Sequence, residues 1–160
     1  LIGESLESLG QTNYLVEIGG EVRARGRKPK GTTWTVGVET PTGGAQDIAE
    51  VLSLDNLSIA TSGNYRNVRL VNGKVVTHIL DPRTGEPVSH GLGSVSVLHP
   101  SCMKADALAT ALYVLGAEQG LALAEREGIA ALFLTPPGDA APAERQASSA
   151  FTRLEGSKGN

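Results

Sequence analysis

The spacing of apolar residues changes abruptly at residue 102, and this change constrains the fold more than any other feature of the chain. Over Cys102–Gly128 the apolar residues recur at helical intervals, which predicts helical structure. Gly116 and Gly120 predict a break in this stretch. A second helix is then expected over Leu121–Glu127, with Gly128 as its stop.

The chain before and after this stretch has strand character instead. Upstream strands are predicted at Tyr14–Ile18, Glu21–Arg25, Trp34–Glu39, Leu57–Thr61, Val68–Val71, Val75–His78 and Ser94–Leu98. Asn72-Gly73 between two of them predicts a tight hairpin turn. Gly37 indicates a bulge or a close backbone approach. Downstream strands are predicted at Ile129–Leu134 and Ser148–Leu154.

Strands followed by helices and further strands predict an α+β domain. We expect a mainly antiparallel sheet with helices on one face, formed by residues 1–154, and a disordered tail at residues 155–160. Apolar residues in Leu1–Leu9 predict a short helix that ends at Gly10. The helix opens without a start signal and Leu1 is not a methionine, so we expect further sequence upstream.

Composition excludes some classes of function. The formal net charge of −3 leaves no basic surface of the kind that nucleic-acid-binding proteins use. Cys102 is the only cysteine, which excludes an intrachain disulfide and a cysteine-based zinc site. No uninterrupted run of 18 apolar residues occurs, so no membrane-spanning segment is predicted from the sequence.

The sequence KADALAT holds the first candidate for chemistry. Asp106 and Thr110 are four residues apart on a predicted helix, so their side chains share one face. A carboxylate and a hydroxyl are hard oxygen ligands that suit Mg²⁺ or Ca²⁺. An ordinary helix turn explains the same pair, with Asp106 complementing the helix dipole and Thr110 bonding to the backbone.

A second candidate is the sequence THILDPRTGEPV. His78 ends a hairpin strand and leads into a turn that contains Asp81, Arg83 and Gly85. Histidine transfers protons near neutral pH, and arginine pairs with phosphate. A plain turn, started by Asp81 and completed by Gly85 with a positive φ angle, accounts equally well for these residues.

Other polar or glycine-rich segments carry weaker signals. Gly19-Gly20 permits close approach to a ligand but is better explained by a bulge. Ser62–Asn67 fits a polar ligand site or a simple loop. His90 and His99 are interpreted as structural or exposed, and Cys102 as a buried, inert thiol.

Five segments in this order resemble one known family. They are EIGGEVRARG, WTVGVETP, SIATSGNYRN, HILDPRTGEPV and VSVLHPSCMKADALATALYVLG. Together they resemble the C-terminal half of the ApbE-type FAD:protein FMN transferases, over residues 1–154. The pairing of HxxDPxTG with ADAxxT carries the resemblance.

The resemblance implies a T-fold-related domain that binds FAD with Mg²⁺, transfers FMN to a Thr or Ser of a target flavoprotein, and releases AMP. Asp106 and Thr110 match the metal-binding residues, His78 the active-site histidine, and Leu80 a flavin-nucleotide contact. Ala109 stands where some members carry a second Asp. The resemblance also implies further FAD and metal contacts upstream of Leu1 and, for many members, a lipid anchor on the outer face of the cytoplasmic membrane.

This chemistry gives the other residues of the turn possible roles. His78 or Asp81 would accept the proton of the acceptor hydroxyl, and Arg83 would neutralise charge on the departing AMP. Two alternatives remain open. One is a metal-dependent FAD pyrophosphatase that yields free FMN and AMP, and the other is a flavin-binding module without catalysis.

Overall fold

The computed structural model describes residues 2–42, 47–64, 68–71, 74–137 and 143–156, with the backbone alone for 68–71 and 74–76. Its helices are α1 (Ile2–Ser8), α2 (Cys102–Glu127) and α3 (Ser149–Gly156). Its strands are β1 (Tyr14–Ile18), β2 (Glu21–Arg25), β3 (Trp34–Glu39), β4 (Ile48–Leu54), β5 (Ser58–Gly63), β6 (Val68–Val71), β7 (Lys74–Thr77), β8 (Ser94–His99), β9 (Ala130–Thr135) and β10 (Glu144–Ala147).

A six-stranded sheet in the order β1-β2-β5-β8-β9-β10 forms the centre of the domain, and every neighbouring pair is antiparallel. Two separate hairpins, β3–β4 and β6–β7, complete the strands. The predicted α+β class and the mainly antiparallel sheet are therefore confirmed. The Asn72-Gly73 turn and Leu1 lie outside the described residues.

The two faces of the sheet carry separate apolar clusters, because side chains alternate along each strand. Ala131 and Phe133 of β9 belong to the cluster that packs against α2. Leu132 and Leu134 belong to a second cluster, together with Phe151 of α3 and residues of the β3–β4 hairpin. The expectation of helices on one face was therefore wrong, since α2 and α3 cover opposite faces.

Helix α2 is kinked at Gly116, whose φ of 80° and ψ of 177° leave the helical path. The predicted break is confirmed at Gly116, and Gly128 ends the helix in the left-handed conformation. No break occurs at Gly120, which instead packs closely, since an added Cβ would come within 2.9 Å of the Phe133 ring.

Among the described residues, α2 is the one helix that is long and apolar enough to cross a membrane. Its buried residues pack on the sheet, as those of a core helix do.

The segment predicted as a last strand is the helix α3, so that prediction was wrong. Ser148 caps the helix, because its Oγ accepts a hydrogen bond from the Phe151 amide at 3.2 Å. The same hydroxyl donates to the Ile129 carbonyl at 2.7 Å and accepts from the Ala131 amide at 3.0 Å. Glu155 and Gly156, which were expected in the disordered tail, belong to α3, and residues 157–160 lie outside the described residues.

Strand β4 had no counterpart in the sequence-based prediction. It pairs with β3 over Trp34↔Leu54 to Glu39↔Ile48, with an irregularity between Val38 and Glu39. The register leaves Ala49 of β4 between two paired residues, so the bulge lies on the partner strand and not at Gly37, where it was predicted. Gly37 itself lies against Ile48, whose Cδ1 would be 2.7 Å from an added Cβ.

Candidate active site

A cleft of about 510 Å³ opens between the β1–β2 turn, strands β3 and β5, the connection after β7, and the first turns of α2. Its lining includes all four residues singled out from the sequence as site candidates: His78, Leu80, Asp106 and Thr110. The histidine segment and the helix motif are 28 residues apart along the chain but line the same cleft. Their convergence meets the geometric requirement for one site.

The N-terminal half of α2 presents Asp106 and Thr110 to the cleft. Ala105 and Ala109 are fully buried against the sheet, so the next residue along the helix points outward in each case. Asp106 and Thr110 are accordingly exposed. Ser62, at the end of β5, reaches the same place, with its Oγ 2.8 Å from Thr110 Oγ1. One carboxylate and two hydroxyls thus meet where helix and strand approach each other.

This donor set fits a hard divalent cation. Mg²⁺ is held in proteins through one or two carboxylates, with waters and substrate phosphates completing its shell. The part of the chain that the structure describes contains no group of three or more His, Cys, Asp or Glu side chains arranged for a metal. A cation here would therefore rest on Asp106, on hydroxyl oxygens, and on ligands from outside these residues.

The cleft is acidic, because Glu21 and Glu39 line it in addition to Asp106. Three carboxylates favour a cation and oppose a bare pyrophosphate. Glu21 and Glu39 lie in two of the segments that resemble the family, EIGGEVRARG and WTVGVETP, but the sequence analysis did not single them out as site residues. Burial raises the pKa of the neighbouring Cys102 thiol, and the charges of Glu21 and Asp106 raise it further. The thiol stays protonated, as expected for an inert cysteine.

His78 and Leu80 lie in a short connection that hydrogen bonds hold in place. Thr77 is buried, and its Oγ1 accepts from the Ile79 amide at 3.2 Å. Val88 then donates from its amide to the Ile79 carbonyl at 3.0 Å, so the chain folds back as a tight hairpin. His78 is exposed at the cleft, and Leu80 is 54% exposed.

The tip of this hairpin is locked by an ion pair between Asp81 and Arg83. The Arg83 Nη2 lies 2.6 Å from Asp81 Oδ2, and its Nε lies 2.9 Å from Oδ1. These hydrogen bonds lower the pKa of Asp81 to about 2. Such a carboxylate is a poor proton acceptor at neutral pH, which leaves His78 as the candidate base. Arg83, expected to face the leaving AMP, is engaged by Asp81, and neither residue lines the cleft.

The glycine pair Gly19-Gly20 forms the turn between β1 and β2, which corrects the expectation of a bulge. Both residues have positive φ angles, 68° and 109°, and the Gly20 amide donates to Glu17 Oε1 at 2.8 Å. The turn lines the cleft, so backbone without side chains faces the space that a ligand would occupy.

Comparison with known proteins identifies relatives of this chain. The model of the ApbE family matches residues 1–133. The FAD:protein FMN transferase of Haemophilus influenzae is 40% identical over 158 residues, which is 98% of this chain and 45% of the relative.

Solved structures of flavin transferases are also similar to this chain. The apo form of the flavinyl transferase ApbE from Pseudomonas stutzeri matches with a TM-score of 0.81 and 44% identity, over 96% of this chain and 46% of that one. The flavin transferase ApbE from Vibrio cholerae matches with a TM-score of 0.79 and 40% identity, over 95% of this chain and 47% of that one.

The chain spans about half the length of the curated relatives that it matches, 45% of the first two. The family model covers more than four fifths of the chain, and the solved structures cover nearly all of it. This chain belongs to the ApbE family.

Proposed function

We propose that the protein transfers FMN from FAD to a Thr or Ser hydroxyl of a target flavoprotein, depends on Mg²⁺, and releases AMP. The observation that supports this most is the shared cleft, which is lined by His78, Leu80, Asp106 and Thr110. It collects in one place the groups that a phosphoryl-linked transfer requires: hard oxygen donors for a cation, a proton acceptor, and open backbone at a glycine turn.

Asp106 and Thr110 would hold the cation, and Ser62 would orient the Thr110 hydroxyl toward it. When bound, Mg²⁺ neutralises charge on the pyrophosphate oxygens of FAD. Glu21 and Glu39 add negative charge to the same cleft. They make the binding of FAD conditional on the cation, because an uncompensated pyrophosphate would meet three carboxylates.

His78 would take the proton of the acceptor hydroxyl. In the proposed step the acceptor oxygen forms a bond to the FMN phosphorus of FAD, and the phosphorus–oxygen bond to the AMP phosphate breaks. The proton passes to the His78 imidazole, and AMP leaves with the electron pair of the broken bond. Asp81 does not compete for this proton, because its ion pair with Arg83 holds its pKa at about 2.

The turn at Gly19-Gly20 and the exposed Leu80 would contact the flavin nucleotide. Because the relatives are about twice as long, we propose that the upstream half of the protein supplies the remaining FAD and metal contacts. We propose further that the protein acts while anchored on the outer face of the cytoplasmic membrane.

The test is to incubate the full-length protein with FAD, Mg²⁺ and an acceptor protein that carries the target Thr, and to follow both products. We expect an FMN-sized mass gain on the acceptor and one AMP for each FMN attached. Replacement of His78 by Ala is expected to slow transfer roughly a hundredfold, the usual range for a general base. Free FMN with no gain on the acceptor would overturn the proposal in favour of a pyrophosphatase.

A further inference from the structure

His90 lies beside the kink of α2 and does not line the cleft. Its Nε2 is 2.6 Å from the Tyr113 carbonyl oxygen, and its ring meets the Tyr113 ring edge-on at a centroid distance of 4.9 Å. A carbonyl oxygen only accepts hydrogen bonds, so Nε2 carries the hydrogen. His90 Nδ1 is buried and has no partner among the described residues.

The kink explains why the Tyr113 carbonyl takes this partner. In a regular helix it would accept from the amide of residue 117. Gly116 leaves the helical path with a φ of 80° and a ψ of 177°, so the kink falls between the Tyr113 carbonyl and that amide. An added Cβ at Gly116 would lie 3.3 Å from His90 Cδ2, so the glycine also makes room for the ring.

This contact joins the two segments that carry the candidate site. Tyr113 is one helical turn beyond Thr110, in the same half of α2. His90 lies two residues after Val88, which closes the hairpin behind His78 through its bond to Ile79. A second hydrogen bond joins the same two segments, because the Tyr113 hydroxyl donates to the Leu92 carbonyl at 3.2 Å.

We propose that His90 is a positioning residue that fixes the His78–Leu80 hairpin against the kinked helix. It thereby sets the distance between His78 and the oxygen donors Asp106 and Thr110. The inference rests on the proposed function for its effect on catalysis, but its structural content is independent of turnover. Small displacements of a reacting group are costly, since about 1 Å can cost on the order of a hundredfold in rate.

Two variants at position 90 distinguish the effect of the hydrogen bond from the effect of the aromatic ring. His90→Phe keeps an aromatic ring against Tyr113 but has no donor, whereas His90→Gln keeps an N–H donor at a similar reach. His99→Phe is the matched control, because His99 is also half-buried and bonded to backbone. Its Nδ1 accepts from the Ser101 amide at 2.8 Å, and it lines a different cavity.

The first readout is kinetic, on the full-length protein. At saturating Mg²⁺ we expect His90→Phe to lower kcat roughly tenfold while the KM for FAD stays within about twofold. His90→Gln should recover most of kcat, and His99→Phe should match the wild type. A His90→Phe protein with wild-type kcat, or one in which His90→Gln fails to recover activity while folding normally, would overturn the proposal.

The second readout needs no transfer. Mn²⁺, a paramagnetic substitute for Mg²⁺, should broaden the ring NMR signals of His78 in labelled protein. We expect this broadening in the wild type and in His90→Gln, and its loss or reduction in His90→Phe at equal Mn²⁺ occupancy. Unchanged broadening in His90→Phe, or none in the wild type, would refute the positioning role. If the broadening depends on His90 but the protein attaches no FMN to an acceptor, the positioning role is supported and only the proposed function is refuted.

Discussion

Ser62 Oγ lies 2.8 Å from Thr110 Oγ1, and this contact joins the end of β5 to the first half of α2 inside the cleft. The two residues are 48 positions apart in the chain, so only the packing of α2 across the sheet brings them together. The hydrogen bond restricts the rotamer of Thr110, which lies one helical turn after Asp106 on the same face of α2. Strand and helix together therefore build the oxygen donor set that a cation would use.

Replacement of Asp106 by Ala is expected to abolish metal-dependent flavin transfer in the full-length protein. Asp106 is the carboxylate of the donor set, and Mg²⁺ binds through only one or two such groups. Because the side chain is exposed, the free energy of unfolding should change by less than about 0.5 kcal/mol. Transfer is measured against Mg²⁺ concentration, with Asp47→Ala as an exposed carboxylate control. Activity that survives at low Mg²⁺ in the Asp106 variant would contradict the assignment.

Replacement of Thr110 by Val keeps the shape of the side chain and removes its hydroxyl. We expect the Mg²⁺ concentration for half-maximal transfer to rise roughly tenfold, which corresponds to about 1.4 kcal/mol. Thr110→Ser retains the oxygen and should stay close to the wild type. Equal Mg²⁺ dependence for the Val and Ser variants would show that the hydroxyl does not contribute to the cation site.

The Asp81–Arg83 pair should make stability depend on pH in the acid range. Its hydrogen bonds lower the pKa of Asp81 from 3.8 to about 2, so the pair stabilises the fold fully above pH 4. This stabilisation is lost as the pH falls through 2. The difference in Tm between wild type and Arg83→Ala should therefore be largest near neutral pH and vanish in strong acid. Arg126→Ala is the control for the loss of an exposed arginine. A difference in Tm between wild type and Arg83→Ala that grows as the pH falls would contradict the prediction.

Replacement of Gly116 by Ala should destabilise the protein by about 1 to 3 kcal/mol, the cost of holding a residue with a side chain in a glycine conformation. The φ of 80° is strained for alanine, and the new Cβ would press on His90. Gly91→Ala is the matched control, since nothing lies within 4 Å of its added Cβ. Urea unfolding measures both variants, and equal stability of the two would argue against strain at the kink.

The 160-residue chain by itself is expected to bind FAD weakly and to transfer little or no FMN. Its relatives are about twice as long, and the described residues contain no group of three or more His, Cys, Asp or Glu side chains arranged for a metal. A ligand that lacks part of its contacts loses affinity tenfold for each ~1.4 kcal/mol. Calorimetric titration with FAD and Mg²⁺, followed by mass spectrometry of an acceptor protein, measures both quantities. Tight binding together with a mass gain on the acceptor would show that this half is sufficient.

The sequence by itself determined the elements that depend on residues close together along the chain. Helical spacing predicted α2, glycine predicted its kink and its end, and alternation predicted most strands of the sheet. These features depend on backbone preferences and on side chains within one or two turns of each other. The same holds for the hairpin beyond His78, where Asp81 and Gly85 shape the turn.

Tertiary structure decided what depends on distant partners. Residues 149–156 are helical because Ser148 caps them while bonded to Ile129 and Ala131, about 18 positions earlier. His78 and Asp106 line one cleft because Ile79 and Val88 of the hairpin pack on the apolar cluster beneath α2. Glu21 and Glu39 join them from other strands. Residue types and spacing identified which groups could perform chemistry, but their arrangement arises only when the apolar face of α2 is buried on the sheet. That burial is a long-range effect, and no local pattern encodes it.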